Sequence, residues 1–157
     1  MAAAFRILTV CLGNICRSPT AEAALVEAAT AAGIDIEVDS AGTGAWHVGE
    51  PPDRRMAAAA DGDGLRLTGA ARQVRIVDFE DFDLLLAMDR SNLADLLTLA
   101  PDDDARAKVR LFREFAGEPD QDVPDPYYGG PDGFREVVAI ARRGAAGVVG
   151  AIRRGEL

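Results

Sequence analysis

The run Phe5-Arg6-Ile7-Leu8-Thr9-Val10 is short, apolar and rich in β-branched side chains, and it passes directly into Cys11-Leu12-Gly13-Asn14-Ile15-Cys16-Arg17-Ser18. A run of that kind reads as a strand buried on both faces. Pro19 then suits the first turn of a helix, with Ser18 as its N-cap. Ala21, Ala24, Leu25, Ala28 and Ala29 repeat at the spacing of one buried helical face, and Gly33 ends it. A chain that opens strand, tight loop, helix is committed to building the rest of its structure around a central sheet.

The remaining sequence repeats the alternation. Residues 34–38 read as a second strand and 40–52 as a loop containing Trp46. Residues 54–61 read as a helix, and 83–88 as a strand buried on both faces. A helix through Leu99 follows, capped by Ser91 or Asp89. Residues 108–112 read as a fourth strand and the proline- and acid-rich 117–133 as a long loop. Residues 135–152 close the chain as a helix that Gly144, Gly147 and Gly150 each weaken by about 1 kcal/mol relative to Ala. Apolar strands alternating with helices predict an α/β fold with a parallel sheet, helices on both faces and right-handed crossovers. Ligands in such folds sit beyond the carboxyl ends of the strands, where Cys11 lies. With 157 residues and no repeat or linker, the expectation is one domain spanning 1–157.

Charge and cysteine usage narrow the function. A net charge of −9 argues against a nucleic-acid or anionic-membrane partner, so any anion must be held by a small local site. No apolar stretch approaches the ~20 residues of a membrane span, and Arg6 interrupts the first apolar run, so no signal segment is expected. Two cysteines and one histidine cannot furnish a four-ligand zinc site, and the expected compartment is a reducing cytoplasm.

The loop at 11–18 is where chemistry is expected. Its N–H groups can converge on one point at a helix N-terminus, forming a nest the size of a phosphate. Gly13 relaxes the backbone and Asn14 tolerates positive φ. N–H groups, the helix end and Arg17 all favour the anion of a thiol seated among them, so Cys11 is the expected nucleophile. Arg17 can grip two phosphoryl oxygens with its planar fork, as Lys cannot. Ser18 has two uses open to it, helix cap or hydroxyl donor to the sulfur. A phosphocysteine route also needs a proton for the leaving oxygen. Asp125, held between Pro124 and Pro126 and followed by Tyr127-Tyr128, is a better candidate than His47, the single histidine.

Taken together, Cys11 through Pro19 and Asp125-Pro126-Tyr127-Tyr128 resemble the low-molecular-weight protein tyrosine phosphatases. Asp39-Ser40-Ala41-Gly42-Thr43, Pro51-Pro52-Asp53, Ala71-Arg72-Gln73 and Met88-Asp89-Arg90-Ser91-Asn92 are similar in order and spacing. The resemblance implies a flavodoxin-like, four-stranded parallel sheet and cofactor-free, metal-free hydrolysis of phosphotyrosine and small aryl phosphates. It implies Cys11 as nucleophile, Arg17 as phosphate clamp and Asp125 as general acid, then base. Leu12, Gly13, Asn14, Ile15, Cys16 and Ser18 would bind substrate, with Ser40 supporting the loop. Trp46, Tyr127 and Tyr128 would wall the slot, and Cys16 would be the redox partner of Cys11. Expected partners are phosphotyrosine proteins or peptides, with phosphate or vanadate as competitive ligands and the chain a monomer or weak dimer. Members often carry a histidine shortly before the Ala-Arg-Gln segment; Gly69 stands there, which predicts a looser Asn14 network. Three alternatives compete. An arginine phosphatase would favour Thr where Ile15 stands, and an arsenate reductase needs a cysteine beyond Cys16. A phosphate-binding module would not need Cys11, Arg17 and Asp125 together.

Overall fold

The computed structural model describes residues 4–157. β1 (Phe5–Cys11) runs up the middle of a sheet, α1 (Arg17–Ala32) returns, and β2 (Ile36–Gly42) pairs parallel along the whole of β1. The chain continues through α2 (Arg54–Gly62) and the short α3 (Asp78–Asp81) to β3 (Leu84–Ala87), on the other side of β1. Then come α4 (Arg90–Leu99), α5 (Asp103–Ala107), β4 (Val109–Leu111), a 3-10 turn at Phe112–Ala116 and α6 (Pro131–Arg153). The strand order is β2-β1-β3-β4, all parallel. This is the four-stranded α/β architecture expected from the sequence.

Alternation along the strands builds two cores. Ile7, Leu84 and Leu86 face α1, α2 and α6, whereas Leu8, Val10, Leu85 and Ala87 face Phe79, Leu96 and Ala105 on the opposite side. Each of these strand side chains is at most 3% exposed, and burying any one of the leucines, Ile7 or Val10 stabilises the fold by about 1.5–3 kcal/mol. The chain steps from β1 to β2 on one side and then crosses back to β3 on the other, so the strand order reverses at β1. A crevice therefore opens beyond its carboxyl end, where the 11–18 loop lies.

The structure moves several boundaries. α1 starts at Arg17 with Cys16 as N-cap residue, so Ser18 is not the cap. Its hydroxyl is instead occupied by the Cys11 sulfur and by the Asn14 amide. Strand β2 begins two residues later than expected and continues through Gly42, because pairing with β1 carries the polar Asp39-Ser40 pair up to the level of Leu8 and Thr9. Asp89 caps α4 by accepting from the Asn92 N–H. Pro131, at the first position of α6, starts that helix four residues before Arg135. The segments α3, α5 and the 3-10 turn are four or five residues long, too short for a periodic signal.

The glycines of α6 do more than weaken it. A Cβ at Gly144 would lie 2.3 Å from the buried ring of Phe112, and one at Gly147 would lie 1.7 Å from the carbonyl oxygen of Phe115. The helix can approach the 3-10 turn only because both are glycine. At Gly150 the nearest atom is the mobile end of Arg154, 3.1 Å away. Alanine substitutions should therefore differ in sign. In urea denaturation, Gly147→Ala should lose about 1–3 kcal/mol from overpacking. Gly150→Ala should gain up to about 1 kcal/mol from helix propensity.

Candidate active site

The loop after β1 is shaped by what lies beneath it. A Cβ on Gly42 would stand 2.7 Å from the Leu12 carbonyl oxygen and 3.3 Å from the Asn14 Cβ, so the loop rests directly on this glycine. The Cys11 and Leu12 carbonyls accept from the N–H groups of Thr43 and Gly44, each at 2.9 Å, and that of Ile15 accepts from Asp53 at 2.9 Å. With those carbonyls tied outward, the chain turns at Asn14, which adopts φ 58°. The Asn14 N–H then points at the Cys11 Sγ from 3.3 Å.

Asn14 is 3% exposed and its amide is fully engaged. Nδ2 donates to the Ser18 Oγ at 2.9 Å and the Ser40 Oγ at 3.0 Å, while Oδ1 accepts from the Arg72 N–H at 2.9 Å. Ser18 Oγ lies 3.0 Å from the Cys11 Sγ. Two hydrogen-bonding groups thus converge on one sulfur, and both are held by the same asparagine.

Arg17 stands on the first turn of α1 and is only 4% exposed. Its Nη1 donates to Asp89 Oδ2 at 2.6 Å and to the Val123 carbonyl at 3.1 Å, which uses both hydrogens of that nitrogen. Nε and Nη2 remain for a ligand, with Nη2 lying 3.7 Å from Asp125 Oδ2. Burial pulls the arginine pKa down, but the Cys11 sulfur, Asp89 and Asp125 outweigh it, and the value ends above the ordinary one. Arg17 is a fixed cation.

The loop carrying Asp125 is pinned from several sides. Val123 donates to the Met88 carbonyl at 2.8 Å, Arg90 binds Asp122, and Arg113 donates to the Asp122 carbonyl at 2.7 Å. Asp125 itself, with its side chain about half exposed, accepts from the Tyr127 N–H at 3.1 Å. The result is a slot of about 450 Å³ with Cys11, Gly13, Ile15, Cys16 and Arg17 toward its base and Leu12, Trp46, Asp125, Tyr127 and Tyr128 around it. Trp46 is 75% exposed, so it plugs no core. Tyr127 and Tyr128 meet edge to face with ring centroids 4.9 Å apart. Asn14, Ser18 and Ser40 do not line the slot; they lie beneath it.

A slot with this nest, guanidinium and carboxylate has counterparts among known proteins. The model of the low molecular weight phosphotyrosine protein phosphatases matches residues 6–155. A low molecular weight protein-tyrosine-phosphatase of Streptomyces coelicolor is 45% identical over 155 residues, covering 95% of this chain and 94% of that protein. A low molecular weight phosphotyrosine protein phosphatase of Schizosaccharomyces pombe is 46% identical over 133 residues, covering 82% and 85%. Among solved structures, a protein tyrosine phosphatase of Entamoeba histolytica superposes with a TM-score of 0.94 at 34% identity, covering 98% of this chain and 100% of that one. The chain belongs to the low molecular weight phosphotyrosine protein phosphatase family.

As a family member it departs from the pattern at Gly69, yet the looser Asn14 network expected from that residue is absent. The backbone N–H of Arg72 fills the asparagine's acceptor, and Gly69 itself is an exposed turn residue at φ +85°. Two contributors escaped the sequence reading, and a third was weighed there only as a proton donor. Asp89 clamps Arg17, Gly42 lets the loop settle, and His47 lines the slot with its ring 6.0 Å from that of Tyr127 and bonded to Glu50. A Cβ on Gly13 would come within 3.0 Å of the His47 ring, a close approach visible only in three dimensions.

The two thiols differ sharply in use. Burial, then the charges of Asp53, Cys11 and Asp125, push the Cys16 thiol up to about 12. It stays protonated throughout the neutral range and is no rival nucleophile. At about pH 8, iodoacetamide should therefore label Cys11 and leave Cys16 unmodified, as peptide mapping would show. Asn14→Ala should orphan the Arg72 N–H and release both hydroxyls. It should cost about 1–3 kcal/mol of stability and lower kcat about a hundredfold, read by thermal melts and aryl phosphate turnover.

Proposed function

We propose that Cys11, Arg17 and Asp125 carry out hydrolysis of phosphotyrosine in protein substrates, within one domain spanning 1–157. Membership of the family makes the chain a cysteine-dependent protein-tyrosine phosphatase working through a phosphocysteine intermediate. The observation that carries the residue roles is the meeting, in one slot, of a sulfur facing an N–H and a hydroxyl, a buried guanidinium, and a carboxylate 3.7 Å from that guanidinium.

In the first step the Cys11 sulfur forms a bond to phosphorus as the bond from phosphorus to the tyrosyl oxygen breaks in line. Asp125 gives its proton to the departing phenolic oxygen. The Nε and Nη2 edge of Arg17 and the loop N–H groups hold the equatorial oxygens, whose charge the transition state spreads. In the second step Asp125 takes a proton from water, the new oxygen–phosphorus bond forms, and the sulfur–phosphorus bond breaks to release phosphate. Ser18 and the Asn14 N–H receive the returning negative sulfur. Leu12, Trp46, Tyr127 and Tyr128 offer flat apolar walls to the phenyl ring. Ile15 at the slot's base offers no hydroxyl to position water against a phosphoguanidine, which favours phosphotyrosine over phosphoarginine. A reducing cytoplasm suits a mechanism resting on a free thiol, and a monomer or weak dimer suffices because all three groups come from one chain.

Cys11→Ser should abolish turnover while still binding phosphate or vanadate, as calorimetry would show. Asp125→Ala should slow alkyl phosphates far more than p-nitrophenyl phosphate, whose leaving group needs little protonation. Equal slowing of both would refute Asp125 as the acid. Parallel assays on phosphotyrosine and phosphoarginine peptides should favour the former, and the opposite preference would overturn the substrate assignment.

A further inference from the structure

The catalytic slot has a larger neighbour. A groove of about 880 Å³ lies between α2 and α6, floored by Ala58, Phe134, Val138 and Ala139 and rimmed by Arg55, Arg135, Arg142 and Arg143. Gly129 and Gly130, which follow Tyr128 on the Asp125 loop, also line it. The two concavities meet at Arg55. Its guanidinium carbon sits 5.3 Å from the centroid of Tyr127, a wall of the slot, and 4.9 Å from that of Phe134, the floor of the groove.

The charge of this groove runs against that of the whole molecule. On a chain of net charge −9, four guanidiniums line it with Asp63 as the one lining carboxylate. Each arginine already has a partner: Arg55 has Asp53, Arg135 has Asp132, Arg142 has Asp63 and Glu27, and Arg143 has Glu118. Arg135 and Arg143 are themselves exposed and use one terminal nitrogen each in these pairs, so both retain donors for an incoming carboxylate.

We infer that this groove receives the stretch of a phosphoprotein substrate adjoining its phosphotyrosine and selects a stretch with an acidic residue beside an apolar one. The inference rests on the phosphotyrosine reading above and extends it from the reacting group to the flanking sequence. The apolar residue lies on the floor provided by Ala58 and Ala139, and the acidic one meets Arg135 or Arg143. The slot alone leaves an acidic protein to repel acidic substrates, and the groove provides a local attraction that the global field lacks.

The test uses the full chain and synthetic phosphotyrosine peptides in which a single glutamate is moved stepwise to either side of the phosphotyrosine, each with a glutamine twin. At one or two positions glutamate should raise kcat/KM about fivefold over glutamine, and the preference should fade as salt rises. In the double variant Arg135→Glu, Arg143→Glu the preference should vanish. Ala139→Trp, which fills the floor, should raise KM for all longer peptides. Both variants should retain wild-type kcat on p-nitrophenyl phosphate, which also shows that they fold. A glutamate no better than glutamine at every position, or a preference that survives the double variant, would overturn the inference. A wild-type chain idle on p-nitrophenyl phosphate would instead overturn the phosphatase reading itself.

Discussion

Asn14 holds the catalytic loop in a backbone conformation that few side chains adopt. Its φ of 58° costs an ordinary residue about 1–2 kcal/mol, and an asparagine offsets this by hydrogen bonding through its amide. Here it does so three times, to Ser18, Ser40 and the Arg72 N–H. The turn sends the Asn14 N–H to the sulfur, and the amide fixes the hydroxyl that also faces it. Remove the amide and the sulfur loses both of these groups, because one residue orients them. The family's missing histidine matters little for the same reason: the bond it was expected to support is supplied by main chain, which Gly69 does not touch.

That asparagine works only because the sheet brings its partners to it. Pairing of β1 with β2 sets Thr9 against Ser40 and Cys11 against Gly42. The first match delivers a hydroxyl beneath the loop, and the second provides a residue without a Cβ where the loop must touch down. A one-residue slip would turn Ser40 to the other face of the sheet and set a different residue under Leu12. Register, a property of whole strands, therefore controls the contacts at 3.0 and 3.3 Å on the thiol. Arg17 depends on the fold in the same way, since Asp89 arrives from the end of β3 on the other side of β1.

The sequence made legible what is local and repetitive. β1, the loop and α1 announce themselves within thirty residues because apolar periodicity, Gly13 and Gly33 all act on their neighbours. Cys11, Arg17 and Asp125 could be picked out because their residue types are chemically distinctive. What stayed hidden depends on partners far along the chain. Ser18 had two uses open to it, and only the fold decides between them: its hydroxyl meets the Cys11 sulfur and the Asn14 amide, not the helix end. Ser40 looked like the start of a loop because polar residues rarely continue a buried strand, and only pairing with β1 reveals otherwise. Gly144 and Gly147 read as helix defects, whereas they are the places where Phe112 and Phe115 come in. A glycine's use lies in what approaches it, and the sequence does not print the approach.

The two carboxylates beside Arg17 illustrate how one charge can serve two purposes. Asp89 is 2.6 Å away and only 19% exposed, and it shares Nη1 with a backbone carbonyl. Such a contact is expensive to break, since it would leave a buried guanidinium without its counter-charge. Asp125 is 3.7 Å away with its side chain 46% exposed, so the same guanidinium holds it loosely, in competition with water. In the proposed mechanism, a phosphate entering between them would displace the weaker contact and keep the stronger one. Arg17 would then exchange Asp125 for the phosphoryl oxygens without reorienting, because Asp89 and Val123 fix its orientation beforehand. The proton-handling role proposed for the loose partner suits it for the same reason that it is a poor anchor, and the firm partner could not do both.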